Sequence, residues 1–182
     1  MENDIAKVLL SEEQIQARVH EMGRQIAWDY RGKNPVMVCI LKGAIMFYTD
    51  LLRAMPIQLS MDFMAVSSYG KRTKSSGEVE IRKDLSNSIE NRHVIIVEDI
   101  IDSGYTLTYL TRMLAARGAS SIRICTLLDK PSRRAPGITL KSDYYGFEVP
   151  DAFVVGYGLD YNEAYRNLPY IGVLKSEVYE NN

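Results

Sequence analysis

The residues of this chain best suited to chemistry stand together in one stretch, Glu98-Asp99-Ile100-Ile101-Asp102-Ser103-Gly104-Tyr105-Thr106. The run before it, His93 to Val97, is β-branched and lacks alternation, which suits a central strand of a parallel sheet covered by helices on both faces. Glu98 and Asp99 then fall where that strand emerges at its carboxyl end, the edge at which open α/β sheets bind ligands. Beyond them Leu107, Leu110 and Leu114 recur at helical spacing. A strand, a polar loop and a helix start make a phosphate cradle. Loop N–H groups, the hydroxyls of Ser103 and Thr106, and the positive end of the helix dipole converge on one anion. Two adjacent carboxylates would repel a phosphate directly, so Glu98 and Asp99 must face hydroxyls, or a metal, carried by the same ligand. A ribose 5-phosphate fits, with its vicinal hydroxyls on the acids and its phosphate in the loop.

The elements that must position this stretch can be read in both directions from it. Ser11-Glu12-Glu13-Gln14 is a capping box, followed by an Ile15, Val19, Met22, Ile26 stripe that Gly32 can close. Pro35 precedes a buried strand, Val36 to Leu41. Lys42-Gly43-Ala44 then opens a helix through Leu52, bringing a cation and open backbone N–H groups to the same sheet edge, where a second anion could dock. Gln58 to Val66 alternates as a strand. Ser67 to Gly77 is polar, basic and punctuated by glycine, and Glu78 to Ile81 alternates again, which predicts a long loop between two strands. Lys71, Arg72 and Lys74 in that loop could close over a polyanion and exclude water. Gly118 suits a C′ position, and Ser121 to Leu128 is another buried strand that delivers Lys130 to the same edge. Tyr144 to Val149 and Ile171 to Leu174 read as shorter apolar segments. Gly156 and Gly158 do not make a dinucleotide motif, because Tyr161 stands where the third glycine is needed.

Composition bounds the whole. With 182 residues the chain is one domain by length, and 46% hydrophobic with 25% charged residues is ordinary for a soluble globular protein. A net charge of −1 gives no electrostatic case for binding nucleic acid or an anionic membrane. Cys39 and Cys125 each lie in an apolar strand-like run and read as buried free thiols. The N-terminal segment lacks a basic region followed by an apolar core, and no run approaches 18 apolar residues, so a cytoplasmic location is expected.

The string V-I-I-V-E-D-I-I-D-S-G-Y-T-L closely resembles the phosphoribosyl-diphosphate signature of the type I phosphoribosyltransferases, and among them the hypoxanthine-guanine phosphoribosyltransferases. Leu41-Lys42-Gly43 resembles their pyrophosphate loop, Ser68-Tyr69 the Ser-Tyr pair of their mobile lid, and P-D-x-F-V-V-G-Y-G-L-D-Y-N-E-x-Y-R-N-L the hood that holds the purine. Ser103, Tyr105 and Ala44 depart from residues common in the family, Tyr105 leaving one fewer cation near the 5-phosphate. The resemblance implies an α/β fold of the type I phosphoribosyltransferase kind: a twisted, mainly parallel sheet of four or five strands flanked by helices. Its core would span about 30–145, and its small hood would come from the N-terminal segment and about 146–182. It also implies roles. Glu98 and Asp99 would bind the ribose hydroxyls and, with Asp160, Mg²⁺ borne by the substrate. Residues Asp102 to Thr106 would hold the 5-phosphate, with Asp102 also the general base for the purine N7 proton. Lys42, Gly43 and Arg166 would bind pyrophosphate. Lys130 would donate to a 6-oxo group, Phe153 would stack on the base, the Val154 backbone would read its edge, and Asp160 would meet the exocyclic amine of guanine.

The implied activity is transfer of a 5-phosphoribosyl group from phosphoribosyl diphosphate to hypoxanthine or guanine, giving IMP or GMP and pyrophosphate, in a homodimer or homotetramer. An alternative is a regulator that keeps the fold to sense phosphoribosyl diphosphate or a nucleotide without turnover. Glu98 and Asp99 also invite comparison with a glycosidase acid/base pair, but consecutive strand residues point to opposite faces and cannot share one bond.

Overall fold

The computed structural model describes residues 1–68 and 79–180. In chain order the elements are β1 (Ile5–Leu10), α1 (Glu12–Asp29), β2 (Val36–Leu41), α2 (Ile45–Arg53), β3 (Ser60–Ser68), β4 (Val79–Lys83), β5 (His93–Ile101), α3 (Tyr105–Ala116), β6 (Ser121–Asp129), β7 (Tyr144–Glu148), β8 (Val154–Val155), β9 (Ile171–Leu174) and α4 (Ser176–Tyr179). Six strands form the main sheet in the order β4-β3-β2-β5-β6-β7. All neighbours are parallel except β4, which runs antiparallel to β3 and adds a strand to the four or five expected.

The continuous apolar runs of the inner strands have a direct cause. Successive side chains point to opposite faces, and both faces are covered. Met37, Cys39, Ile95, Val97, Cys125 and Leu127 pack under α1 and α2, while Val36, Val38, Ile40, Val94, Ile96 and Ile124 pack under α3. Helix α1 buries the Ile15, Val19, Met22, Ile26 stripe, and its capping box forms, with Ser11 Oγ accepting from Gln14 N–H and Gln14 Oε1 from Ser11 N–H. Cys39 and Cys125 are buried free thiols.

A second, antiparallel sheet has the order β1-β9-β8. It joins the two ends of the described chain, since Ile5 pairs with Leu174 and Leu10 with Ile171. Among the described residues no helix is long and apolar enough to cross a membrane.

Sheet order fixes where a ligand can enter. The chain leaves β2 toward β3 on one side and returns to β5 on the other, so β2 and β5 diverge at a topological switch point. The crevice beyond their carboxyl ends is bounded by Lys42-Gly43 after β2 and by Asp102 to Gly104 after β5.

Candidate active site

Strand β5 does not stop at its apolar run. It continues through Glu98 and Asp99 to Ile101, still paired with β6 through Glu98↔Thr126 and Ile101↔Asp129. The acidic pair therefore belongs to the strand end itself, held by backbone hydrogen bonds, and its two side chains face opposite ways. Asp99 Oδ1 accepts the Ile100 N–H at 2.7 Å, and its other oxygen is packed against Gly43, where any Cβ would collide with the carboxylate. The Gly43 carbonyl in turn occupies the space a Cβ on Gly158 would need, and Gly158 has φ +104°. Two glycines thus let the acid, the loop after β2 and the segment after β8 stack in contact. Burial pushes the Asp99 carboxyl up to about 6, against the lowering effects of the Ile100 N–H and the Arg166 charge. Burial, and then the charge of Asp99, raise Glu98 well above the carboxylate range. Glu98 Oε2 is buried without a hydrogen-bond partner. Such a group is costly unless something later satisfies it.

The loop after β5 is braced from outside. Gly104 takes the left-handed conformation (φ +85°) at the N-cap of α3. The Ser103 carbonyl accepts from Ala135 N–H, and Ser103 Oγ accepts from Tyr105 N–H at 3.4 Å. Arg134 donates to the Asp102 carbonyl at 2.8 Å and also pairs with Asp129. The Asp102 carboxylate, about half exposed, accepts from Arg133 Nε at 3.2 Å. Thr106 stands in the first turn of α3, half-buried, while Tyr105 is exposed.

After β2 the Leu41–Lys42 peptide is cis. Lys42 Nζ lies 2.9 Å from Glu163 Oε2. Arg166 donates to the Gly158 carbonyl at 2.8 Å and pairs with Asp160 at 2.9 Å and Glu163 at 3.4 Å. Two cations from distant parts of the chain thus meet on Glu163. The Lys42 pair is exposed on both sides, and pairs of that kind contribute little, so an incoming polyanion can displace it.

Beside these loops is a cavity of about 450 Å³, in the usual range for a small-molecule site, whose walls include Ile100, Asp102, Lys130, Phe153, Val154 and Asp160. Lys130 is 8% exposed and donates to the Ala152 carbonyl at 2.6 Å. Burial lowers its pKa, opposed by the charges of Asp102 and Asp151. Phe153 is 39% exposed. Val154 lies on β8, an edge strand of the small sheet, so one side of its backbone has no strand partner there. Asp160 accepts from Glu163 N–H at 2.9 Å.

The residues expected from the sequence at Asp102, Lys130, Phe153, Val154 and Asp160 therefore share one volume, with Glu98, Asp99, Lys42, Gly43 and Arg166 along the adjoining edge. Tyr69, Lys71, Arg72, Lys74 and the side chain of Ser68 lie outside the described residues. Ile100, Glu163 and Arg133 were not singled out beforehand. Ile100 offered one signal, the first of two aliphatic residues between acids at a strand end, and Glu163 another, an acid three residues before Arg166.

Among the described residues no group of three or more His, Cys, Asp or Glu side chains could cage a metal ion. The orphaned Glu98 oxygen does fit a cation delivered by a ligand, whereas Asp160 is already committed to Arg166.

Residues 7–162 match the family model described as the phosphoribosyl transferase domain. The chain is 58% identical to the hypoxanthine-guanine phosphoribosyltransferase of Bacillus subtilis (strain 168), over 99% of each chain. It is 56% identical to the bifunctional protein TilS/HprT of Listeria innocua over 98% of its own length, and it spans 27% of the length of that relative. Its fold superposes on the crystal structure of a hypoxanthine phosphoribosyltransferase from Staphylococcus aureus with a TM-score of 0.94, at 54% identity, covering 98% of this chain and 96% of that one.

Proposed function

The chain belongs to the phosphoribosyltransferase family, and from that premise we propose that it transfers the 5-phosphoribosyl group of phosphoribosyl diphosphate to a 6-oxopurine, hypoxanthine or guanine, in purine salvage. The observation that carries this reading is the cavity that sets Lys130, Asp102, Phe153 and Ile100 around one volume, next to the loop from Ser103 to Thr106. The 5-phosphate sits in that loop, on backbone N–H groups, the Ser103 and Thr106 hydroxyls and the start of α3. Tyr105 adds no cation there. The ribose hydroxyls meet the acidic end of β5, with Glu98 offering its open oxygen. Lys42, Gly43 and Arg166 receive the diphosphate once it displaces Glu163.

In the reaction the C1–O bond to diphosphate breaks, the C1–N bond to the purine forms, and pyrophosphate leaves with the bonding electrons. Positive charge grows on the sugar, and the carboxylates of β5 stabilise it in place, without reorganisation. Asp102 takes the purine N7 proton, a contribution of ~10² to 10⁴ in rate. Glu98 would help hold the Mg²⁺ borne by the substrate, which would supply positive charge to offset that of the leaving pyrophosphate. The Asp99 carboxylate supports this edge by packing on Gly43, and Asp160 holds Arg166 toward it. The small sheet acts as a hood, with Phe153 stacked on the base and the Val154 backbone and Asp160 along its edge. The enzyme works in the cytoplasm as a homo-oligomer.

Lys130 selects the base. An ammonium held by Ala152 still has donors for a 6-oxo group, while adenine would present an amine with no acceptor. An unpaired buried donor costs ~1 to 3 kcal/mol, roughly one to two decades of discrimination. The test is turnover with phosphoribosyl diphosphate and Mg²⁺ against hypoxanthine, guanine, xanthine, adenine and uracil. Hypoxanthine and guanine are expected to react, with adenine at least tenfold slower. A chain that binds phosphoribosyl diphosphate but converts no base would instead be a sensor that has kept the fold.

A further inference from the structure

The side chain of Phe153 has a second aromatic partner that the reaction outlined above does not use. Tyr179, on the short helix α4, stacks on Phe153 with ring centroids 5.0 Å apart and planes 22° from parallel. Tyr161 meets the same ring edge-on at 5.6 Å and 88°. Tyr179 is half-buried and packs on the small sheet's own apolar cluster of Val155, Tyr165, Leu168 and Leu174, which is separate from the cluster that Ile100 joins. It also reaches the wall of the cavity that holds Lys130 and Ile100. Phe153 is therefore met by two rings while it keeps 39% exposure, and both Phe153 and Tyr179 line the cavity.

We propose that Tyr179 is a positioning residue for the base: it backs Phe153, so that base, Phe153 and Tyr179 form three stacked layers, with Ile100 beyond the base. The inference rests on the oxopurine reading of the cavity and deepens it. A ring more than a third exposed and held only at its own Cβ has other rotamers open to it. Stacking against a ring anchored in a separate core removes that freedom before the base arrives, and preorganisation of this kind lowers the cost of binding. The anchor is local: Lys175 N–H donates to Asp4 O, and Leu174 N–H to Phe153 O, so α4 begins from a backbone already tied to the residues just before β1 and β8. The effect falls first on the base, because Tyr179 shares the cavity wall with Lys130 and stacks on Phe153.

Steady-state kinetics on the full chain decide the matter, with wild type first shown to convert hypoxanthine. Tyr179→Ala and Tyr179→Leu are expected to raise KM for the base about three- to tenfold, the effect of losing an aromatic pair. The KM for phosphoribosyl diphosphate and kcat should stay within twofold, and Tyr179→Phe should match wild type. Leucine retains apolar packing without a ring, so a Leu variant equal to wild type would overturn the proposal. So would an Ala variant with a lower KM for the base, which would make Tyr179 a plug that competes with the purine. A wild-type chain that converts no oxopurine would refute the activity beneath the proposal, a result separable from either of these.

Discussion

Two sets of carboxylates on the main sheet have opposite surroundings. Asp62, on β3, is 4% exposed and fully engaged. It accepts from Phe63 N–H at 2.8 Å, from Ser86 N–H at 2.9 Å and from Asn87 N–H at 3.4 Å, with Lys83 at 3.8 Å. At the end of β5, Asp99 accepts from the Ile100 N–H, and one buried Glu98 oxygen has no donor. The first carboxylate closes a turn and belongs to the fold. The second pair raises the free energy of the empty protein and becomes useful when a ligand supplies hydroxyls and a cation. Buried acids that the fold satisfies and buried acids it leaves unsatisfied mark different purposes, and the difference is visible in their donors alone.

The largest effect that would sharpen this contrast is catalytic. Asp102→Asn should cut kcat by ~10² to 10⁴ while leaving the KM for phosphoribosyl diphosphate and the unfolding midpoint near wild type; a variant as fast as wild type would remove Asp102 as the base. Next is a change in the satisfied acid. Asp62→Ala removes the acceptor of the Phe63, Ser86 and Asn87 N–H groups, hydrogen bonds worth ~0.5 to 1.5 kcal/mol each, so urea unfolding should shift to lower denaturant, with the folded fraction retaining its kcat. A smaller effect concerns pH. Asp99 titrates at about 6 in the fold and near 3.8 when unfolded, so between those values the folded chain holds more protons and loses stability as pH rises. Asp99→Asn should lose the Asp99 share of this slope and keep that of Glu98, whose raised carboxyl acts in the same direction. The difference in unfolding free energy between variant and wild type, measured from pH 4 to 7 without ligand, should therefore grow with pH.

Much of this site was legible beforehand because its pieces are local. The capping box of α1 needs only Ser11 and Gln14, and β2 stands at Val36–Leu41 as its apolar run requires. The order of acid, hydroxyl and glycine after β5 carried the cradle. What escaped was long-range. Reading β5 as ending at Val97 missed that backbone pairing with β6 carries a strand through charged residues as readily as through valine. Strand β1 is exposed along Ala6 to Val8 and gains its identity from β9, toward the other end of the chain. Likewise nothing in the sequence ties Lys42 to Glu163 or Tyr179 to Phe153. The alternation of Glu78 to Ile81 did mark β4, which stands at Val79–Lys83, but not that it adds a sixth, antiparallel strand at the edge of the parallel sheet.

The contrast is tested most directly by calorimetric titration of Mg²⁺-phosphoribosyl diphosphate into wild type, Glu98→Gln and Asp62→Asn. Wild type and Asp62→Asn should bind alike, while Glu98→Gln, which replaces the carboxyl that would meet the ligand's cation and hydroxyls, should bind at least tenfold more weakly. Equal affinity in Glu98→Gln and wild type would contradict the assignment of the β5 acids to the ligand.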